Sequence, residues 1–97
     1  MFISIRTYKV GAGQRDEVIR RVDENWTEEL RKQPGVQEYF VVAPGSDELV
    51  SVTACLDDKT LASVVEKSAE WVGGRLMDLD VTLVDERRGQ VVSRLGS

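Results

Sequence analysis

Gly35-Val-Gln-Glu-Tyr39-Phe-Val-Val-Ala-Pro44-Gly-Ser-Asp47-Glu-Leu49-Val-Ser51-Val-Thr53-Ala-Cys55-Leu56 is the stretch on which the fold turns. Two runs rich in β-branched and aromatic residues flank Pro44-Gly45-Ser46-Asp47, a cluster of turn formers, and the pattern is that of a hairpin. Side chains alternate along a strand. In the second run Val50, Val52, Ala54 and Leu56 therefore point one way and Leu49, Ser51, Thr53 and Cys55 the other.

A helical pattern and one more strand lie on each side of this hairpin. Residues 2–10 form the first strand. Ile3, Ile5 and Thr7 share a face apolar enough to sit under helices, while Phe2, Ser4, Arg6, Tyr8 and Val10 share a face that mixes apolar bulk with a guanidinium and a phenol. Gly11-Ala12-Gly13 then breaks the strand. A dinucleotide-loop reading fails there, because the third glycine of that pattern falls on Asp16, whose carboxylate repels pyrophosphate. Across residues 14–33, Val18, Ile19, Val22, Trp26 and Leu30 recur at helical spacing. Asp16 and Glu17 open this helix, Arg31 and Lys32 close it, and both placements oppose its dipole. Pro34-Gly35 ends it. Glu29 breaks the pattern by projecting between Val18 and Val22, either snorkelling at the helix end or pairing with a cation.

Beyond the hairpin, Asp57-Asp58 caps a second helix. Its buried stripe is Leu61, Val64, Val65, Ser68, Ala69 and Val72, with Trp71 at the edge, and Gly73-Gly74 loosens or stops it between Val72 and Met77. Residues 78–86 read as strand or packed loop, and residues 88–95 as the last strand. The order β-α-β-β-α-β over residues 1–97 predicts one α+β domain, a ferredoxin-like antiparallel sheet with both helices on one face. Phe2, Tyr8, Leu49 and Cys55 are then expected on the uncovered face, hidden by a second copy packed sheet to sheet.

Composition narrows the function classes. The 97 residues hold 13 basic and 17 acidic side chains for a net charge of −4, with no basic stripe to track phosphates, so nucleic acid is not an expected partner. There is no histidine, which removes the commonest general base, metal ligand and haem ligand. Cys55 is the lone cysteine and nothing obvious activates it; a small strand position is its plain role. The acidic residues at 57, 58, 78, 80, 85 and 86 match no calcium-loop spacing, so no metal is expected. No apolar run approaches the ~20 residues that span a membrane, and the first residues show no signal pattern. A cytoplasmic protein is the expectation.

Arg6-Thr-Tyr8-Lys-Val-Gly, Gln33-Pro-Gly35-Val-Gln-Glu-Tyr39, Leu49-Val-Ser-Val-Thr and Ala69-Glu-Trp71-Val resemble the antibiotic biosynthesis monooxygenase family, over roughly residues 1–89. The resemblance implies the dimeric α+β barrel arrangement, a homodimer with a pocket between sheet and helices. It implies oxidation of a planar aromatic or phenolic, polyketide-like substrate by molecular oxygen with no cofactor. Relatives that degrade haem bind iron through a histidine, which this chain lacks. Asn25, the only asparagine, lies on the first helix rather than where the family's pattern expects one.

The resemblance assigns candidate catalytic roles to Arg6, Tyr8 and Trp71, and substrate-binding roles to Ser4, Tyr39, Ser51 and Thr53. Arg6 either binds a phenolate, carboxylate or developing oxyanion, or pairs with a glutamate across the dimer. Tyr8 and Tyr39 either donate to a substrate oxygen or pack with the hydroxyl at an edge. Trp71 stacks on a flat ligand or packs in core or dimer contacts, and Trp26 belongs to the core. Two alternatives stand beside the oxygenase: a non-catalytic dimeric ligand-binding domain, and a polyketide cyclase or isomerase on the same fold.

Overall fold

Burial alternates along the first strand, Phe2–Val10 (β1): Ser4, Arg6, Tyr8 and Val10 are buried while Ile5 and Lys9 are exposed. This strand lies inside a four-stranded antiparallel sheet completed by Val36–Gly45 (β2), Glu48–Cys55 (β3) and Val81–Gln90 (β4), in the order β2-β3-β1-β4. The structure is a computed structural model that describes residues 1–96. The helical layer comprises Arg15–Arg21 (α1), a π-helical turn Val22–Trp26, Thr27–Arg31 (α2) and Asp58–Arg75 (α3). The ferredoxin-like order expected from the sequence is therefore present. No helix among the described residues is long and apolar enough to cross a membrane.

The covered face of the sheet is the reverse of the one expected. Phe2, Tyr8, Leu49 and Cys55 lie on the side under the helices, where the apolar core forms two clusters. Trp26, Leu30, Cys55, Leu61, Val64 and Val65 form one, and Val10, Val18, Leu49 and Leu76 the other. The uncovered face carries Ile3, Ile5, Val50, Val52, Phe40 and Val42, which the strand register places side by side. Both faces of these central strands carry large apolar residues, so alternation defines the two sets without saying which one the helices choose. The helices supply enough Trp, Leu and Val to tolerate polar side chains in the middle of the sheet beneath them.

The π turn explains Glu29. Val18, Val22, Trp26 and Leu30 recur every four residues, and on a regular α-helix that spacing drifts by about 40° per step. A π turn accommodates one extra residue, which rotates everything after it back by about 100°. Leu30 thus returns to the core at 4% exposure, and Glu29 swings out to face Lys32 at 3.7 Å. Gly35 follows with φ of 91°, a left-handed conformation, and a Cβ there would meet Thr60 Cγ2 at 3.1 Å. Asp57 caps α3 as expected, accepting the Thr60 backbone N–H at 2.7 Å. That helix passes through Gly73-Gly74 and ends at Arg75, within the predicted window, but Ala69 is exposed rather than part of its stripe.

The last strand begins at Val81 and ends at Gln90, earlier than the predicted 88–95. The reason is register: Val10 pairs with Val81 and Phe2 with Gln90, so β1 runs out of residues to pair. Only Val91 N–H continues the ladder, to the Met1 carbonyl at 2.9 Å, and Val92 and Leu95 are exposed. The pairing shifts between Thr7 and Tyr8, where Val84 is the extra residue of a β-bulge.

Candidate functional site

Between the two core clusters the sheet side chains turn small and polar. On β3, Ser51 and Thr53 separate Leu49 from Cys55, and on β1, Ser4, Arg6 and Tyr8 separate Phe2 from Val10. These residues cannot fill the layer as Leu or Val would, and a cavity of about 40 Å³ remains there. Tyr8, Tyr39, Ser51, Ser68, Trp26 and Trp71 are among its walls, and Trp71 packs against both clusters. Four of the seven expected site residues, Tyr8, Tyr39, Ser51 and Trp71, therefore meet at one space.

Arg6, Ser4 and Thr53 share the same face but lie behind that wall. Ser4 is 1% exposed and its Oγ is buried with no hydrogen-bond partner among the described residues. Arg6 is 5% exposed, so its charge needs a partner. The partner is within the chain rather than across a dimer: Nη1 donates to Glu86 Oε2, the residue directly opposite on β4. Arg88 Nε donates to the other Glu86 oxygen at 2.7 Å. Arg6 Nε donates to Tyr8 Oη at 2.7 Å, and its guanidinium carbon lies 5.6 Å from the Tyr8 ring centroid. Sequence reasoning misses Glu86, because only the cross-strand register reveals it.

Tyr39 lines the same cavity as Tyr8, and its hydroxyl bonds to no described residue. Burial, followed by the influence of Tyr8 and Asp23, pushes its phenol well above the usual tyrosine range, so it stays protonated at any ordinary pH. Cys55 is fully buried and burial likewise raises its thiol, which suits packing and not attack. Trp71 Nε1 donates to Asn25 Oδ1 at 2.6 Å, and the rings of Trp26 and Trp71 lie 5.9 Å apart at 39°. Asn25, which fits no sequence pattern, thus touches the candidate site through Trp71. Among the described residues, no group of three or more His, Cys, Asp or Glu side chains could hold a metal ion.

At the helical ends, ion pairs fix the layer above this site. Arg21 donates to both carboxylate oxygens of Asp78, at 2.6 and 2.9 Å, and to the Arg75 carbonyl at 2.9 Å, tying α1 to the end of α3. Hydrogen bonds from Arg20 and then Arg21 hold the Glu17 carboxyl at about 2.

No family model matches the chain, and no curated protein matches it. Solved structures do. A dimeric ferredoxin-like protein from an uncultured marine organism superposes with a TM-score of 0.77 at 16% identity, over 97% of this chain and 96% of that one. A protein from Deinococcus radiodurans, provisionally described as an antibiotic biosynthesis monooxygenase, gives 0.77 at 13% identity over 100% and 98%. A point mutant of SnoaB, a cofactor-independent oxygenase from Streptomyces nogalater, gives 0.71 at 8% identity over 99% and 97%. At these identities the likeness establishes architecture: the chain shares the ferredoxin-like fold of these proteins.

Proposed function

We propose that this chain is a homodimeric, cofactor-independent monooxygenase acting on a planar phenolic, polyketide-like substrate held between its sheet and helices. The observation that carries the reading is the bond from Arg6 Nε to Tyr8 Oη beside the cavity. Since Tyr8 accepts from Arg6, its own hydrogen is free to be donated to a ligand oxygen, and the cation behind it strengthens that donation. Tyr39, kept protonated by burial, supplies a second donor. Two phenol donors at one oxygen favour the anionic form of a phenol or enol over the neutral one. Trp71 and Trp26 offer flat walls to such a ring.

The chemistry balances with the substrate as its own reductant. The substrate anion passes one electron to dioxygen, and the resulting radical pair combines to a carbon–oxygen bond. The hydroperoxide then loses water to leave a carbonyl. One oxygen atom enters the product and the other leaves as water, which also carries away two substrate hydrogens: the proton lost on forming the anion, returned to the peroxide, and the one on the hydroperoxide carbon. Ser51 and Ser68 line the space in which that oxygen would be held.

The uncovered sheet face supports the homodimer. Phe40, Val42 and Ile5 are 48%, 47% and 37% exposed, and they adjoin Val50, Val52 and Ile3 in one apolar surface. A second copy of the same flat surface is its natural complement.

Oxygen uptake with a panel of anthrone-like and quinol substrates tests the proposal, with product mass recorded. Uptake with one oxygen gained and two hydrogens lost per turnover is the expected result. A second reading, a ligand-binding domain without chemistry, is favoured by one observation: Glu86 already neutralises Arg6, the cation bonded to Tyr8 at the cavity wall. Binding without uptake would select that reading, and a new product without uptake would select a cyclase or isomerase.

A further inference from the structure

The cavity is smaller than the ligand class it would serve. Ligand pockets measure roughly 300–1,000 Å³ and an engineered apolar cavity that takes up benzene measures about 150 Å³, against about 40 Å³ here. A wall must therefore move, and Trp71 is a half-buried wall with open space on its other side. Its inner side borders the cavity with Tyr8, Tyr39 and Ser51; its outer side borders the open groove between the α1–α2 rod and α3, with Asn25 and Arg75. The indole is half-buried and has one polar tie, the bond from Nε1 to Asn25 Oδ1.

We infer that Asn25 is a latch: it holds Trp71 shut across the passage from that groove into the cavity, and so limits which aromatic molecules enter. Asn25 is a positioning residue here, since it reaches the cavity only through Trp71. The local structure is suited to this. Asn25 and Trp26 are neighbours in the π turn, whose wider ring sets successive side chains closer in angle than an α-turn does, so both meet Trp71. Just past Trp71 the helix contains Gly73 and Gly74, where an added Cβ would meet nothing within 4 Å. The end of α3 that carries the gate is thus intrinsically weak, with open space beside it. The inference rests on the cavity reading given above, but not on any oxidation.

Binding of naphthalene and indole, neither of which needs to be oxidised, is the test, measured by titration calorimetry on the full chain. Releasing the latch raises the fraction of open protein, and apparent affinity rises with that fraction. Asn25→Ala should therefore bind naphthalene about fivefold more tightly, the factor that loss of one ordinary hydrogen bond produces. Trp71→Phe, which removes the indole N–H without touching the π turn, should gain similarly. Asn25→Asp, which keeps an acceptor oxygen, should stay near wild type. Faster solvent exchange of the Trp71 indole N–H in Asn25→Ala should accompany the gain. A merely structural role predicts the opposite sign, weaker binding together with a lower melting temperature. Unchanged or weaker naphthalene binding in both Asn25→Ala and Trp71→Phe overturns the inference, as does no arene binding in any of the proteins. Failure of the oxygenase reading shows separately, as absent oxygen uptake with phenols while arene binding still responds to Asn25.

Discussion

On the helix-covered side of the sheet the central strands present Ser4, Arg6, Tyr8, Ser51 and Thr53, whereas on the bare side the same strands present Ile3, Ile5, Val50 and Val52. The side that is more polar is the one that is buried by the chain itself. Its charged group and its phenol are matched, since Arg6 meets Glu86 and Tyr8, and Ser51 borders a cavity. The side that is more apolar is left open by the chain, and it is the face proposed above to meet a second copy. Hydrophobicity alone therefore identifies faces that want cover without saying what provides it. The helices bring their own apolar bulk, and a site with oxygen and nitrogen groups can be housed beneath them.

Charging the bare side should have the largest effect. Ile5→Asp at the centre of the proposed interface acts twice in a symmetric dimer, so the dimer should weaken roughly a thousandfold while each subunit stays folded. Sedimentation across concentrations measures this, and an unchanged dimer would show that the bare face is not the interface. A core truncation on the covered side comes next. Leu61→Ala, at a site 2% exposed, should cost about 2–5 kcal/mol in urea unfolding. If Ile5→Asp lowers subunit stability by as much, the contrast between the faces breaks down.

A smaller effect is expected from unpairing the buried cation. Glu86→Ala leaves Arg6 without its carboxylate, and the cost should be about 1–3 kcal/mol, below that of a fully buried pair because the Glu86 side chain is 25% exposed. Glu86→Gln should recover part of it. Equal stability of Glu86→Ala and wild type would mean that Arg6 is solvated in another way.

Two titrations sharpen the comparison further. Tyr39 should ionise well after an ordinary phenol in ultraviolet absorbance, since burial disfavours its charged form. The folded chain then holds more protons than the unfolded one above the ordinary tyrosine range, so stability should fall as pH rises there. Tyr39→Phe should remove that part of the alkaline loss. The surface cluster around Glu17 works with the opposite sign and least strength. Its carboxyl titrates near 2 when folded against 4.5 ordinarily, so its contribution is complete above about 4.5 and vanishes as pH falls to about 2. The urea midpoints of wild type and Glu17→Gln should accordingly converge as pH is lowered through that window, and parallel curves would contradict it.

Much of this is legible from local pattern. The hairpin of β2 and β3, the Asp57 cap, the turn at Pro34-Gly35 and the order of the elements all follow from residues close together in the chain. So does the grouping of Arg6 with Tyr8 and of Ser51 with Leu49, because a strand's period of two fixes which side chains share a face. Even the π turn leaves a trace, in the four-residue spacing from Val18 to Leu30 and the misplaced Glu29. That spacing also fits an ordinary helix, with drift, and so does not identify the π turn by itself.

What the chain alone determined, then, is which residues stand together. Only the tertiary structure decided what stands opposite them: helices over Tyr8 and Leu49, Glu86 beside Arg6, Asn25 against Trp71, and a last strand that stops where β1 has no more residues to pair. The physical reason is one of range. Alternation and helical period act over a few residues, whereas register between distant strands and the choice of a covering layer are set by packing across the whole sheet.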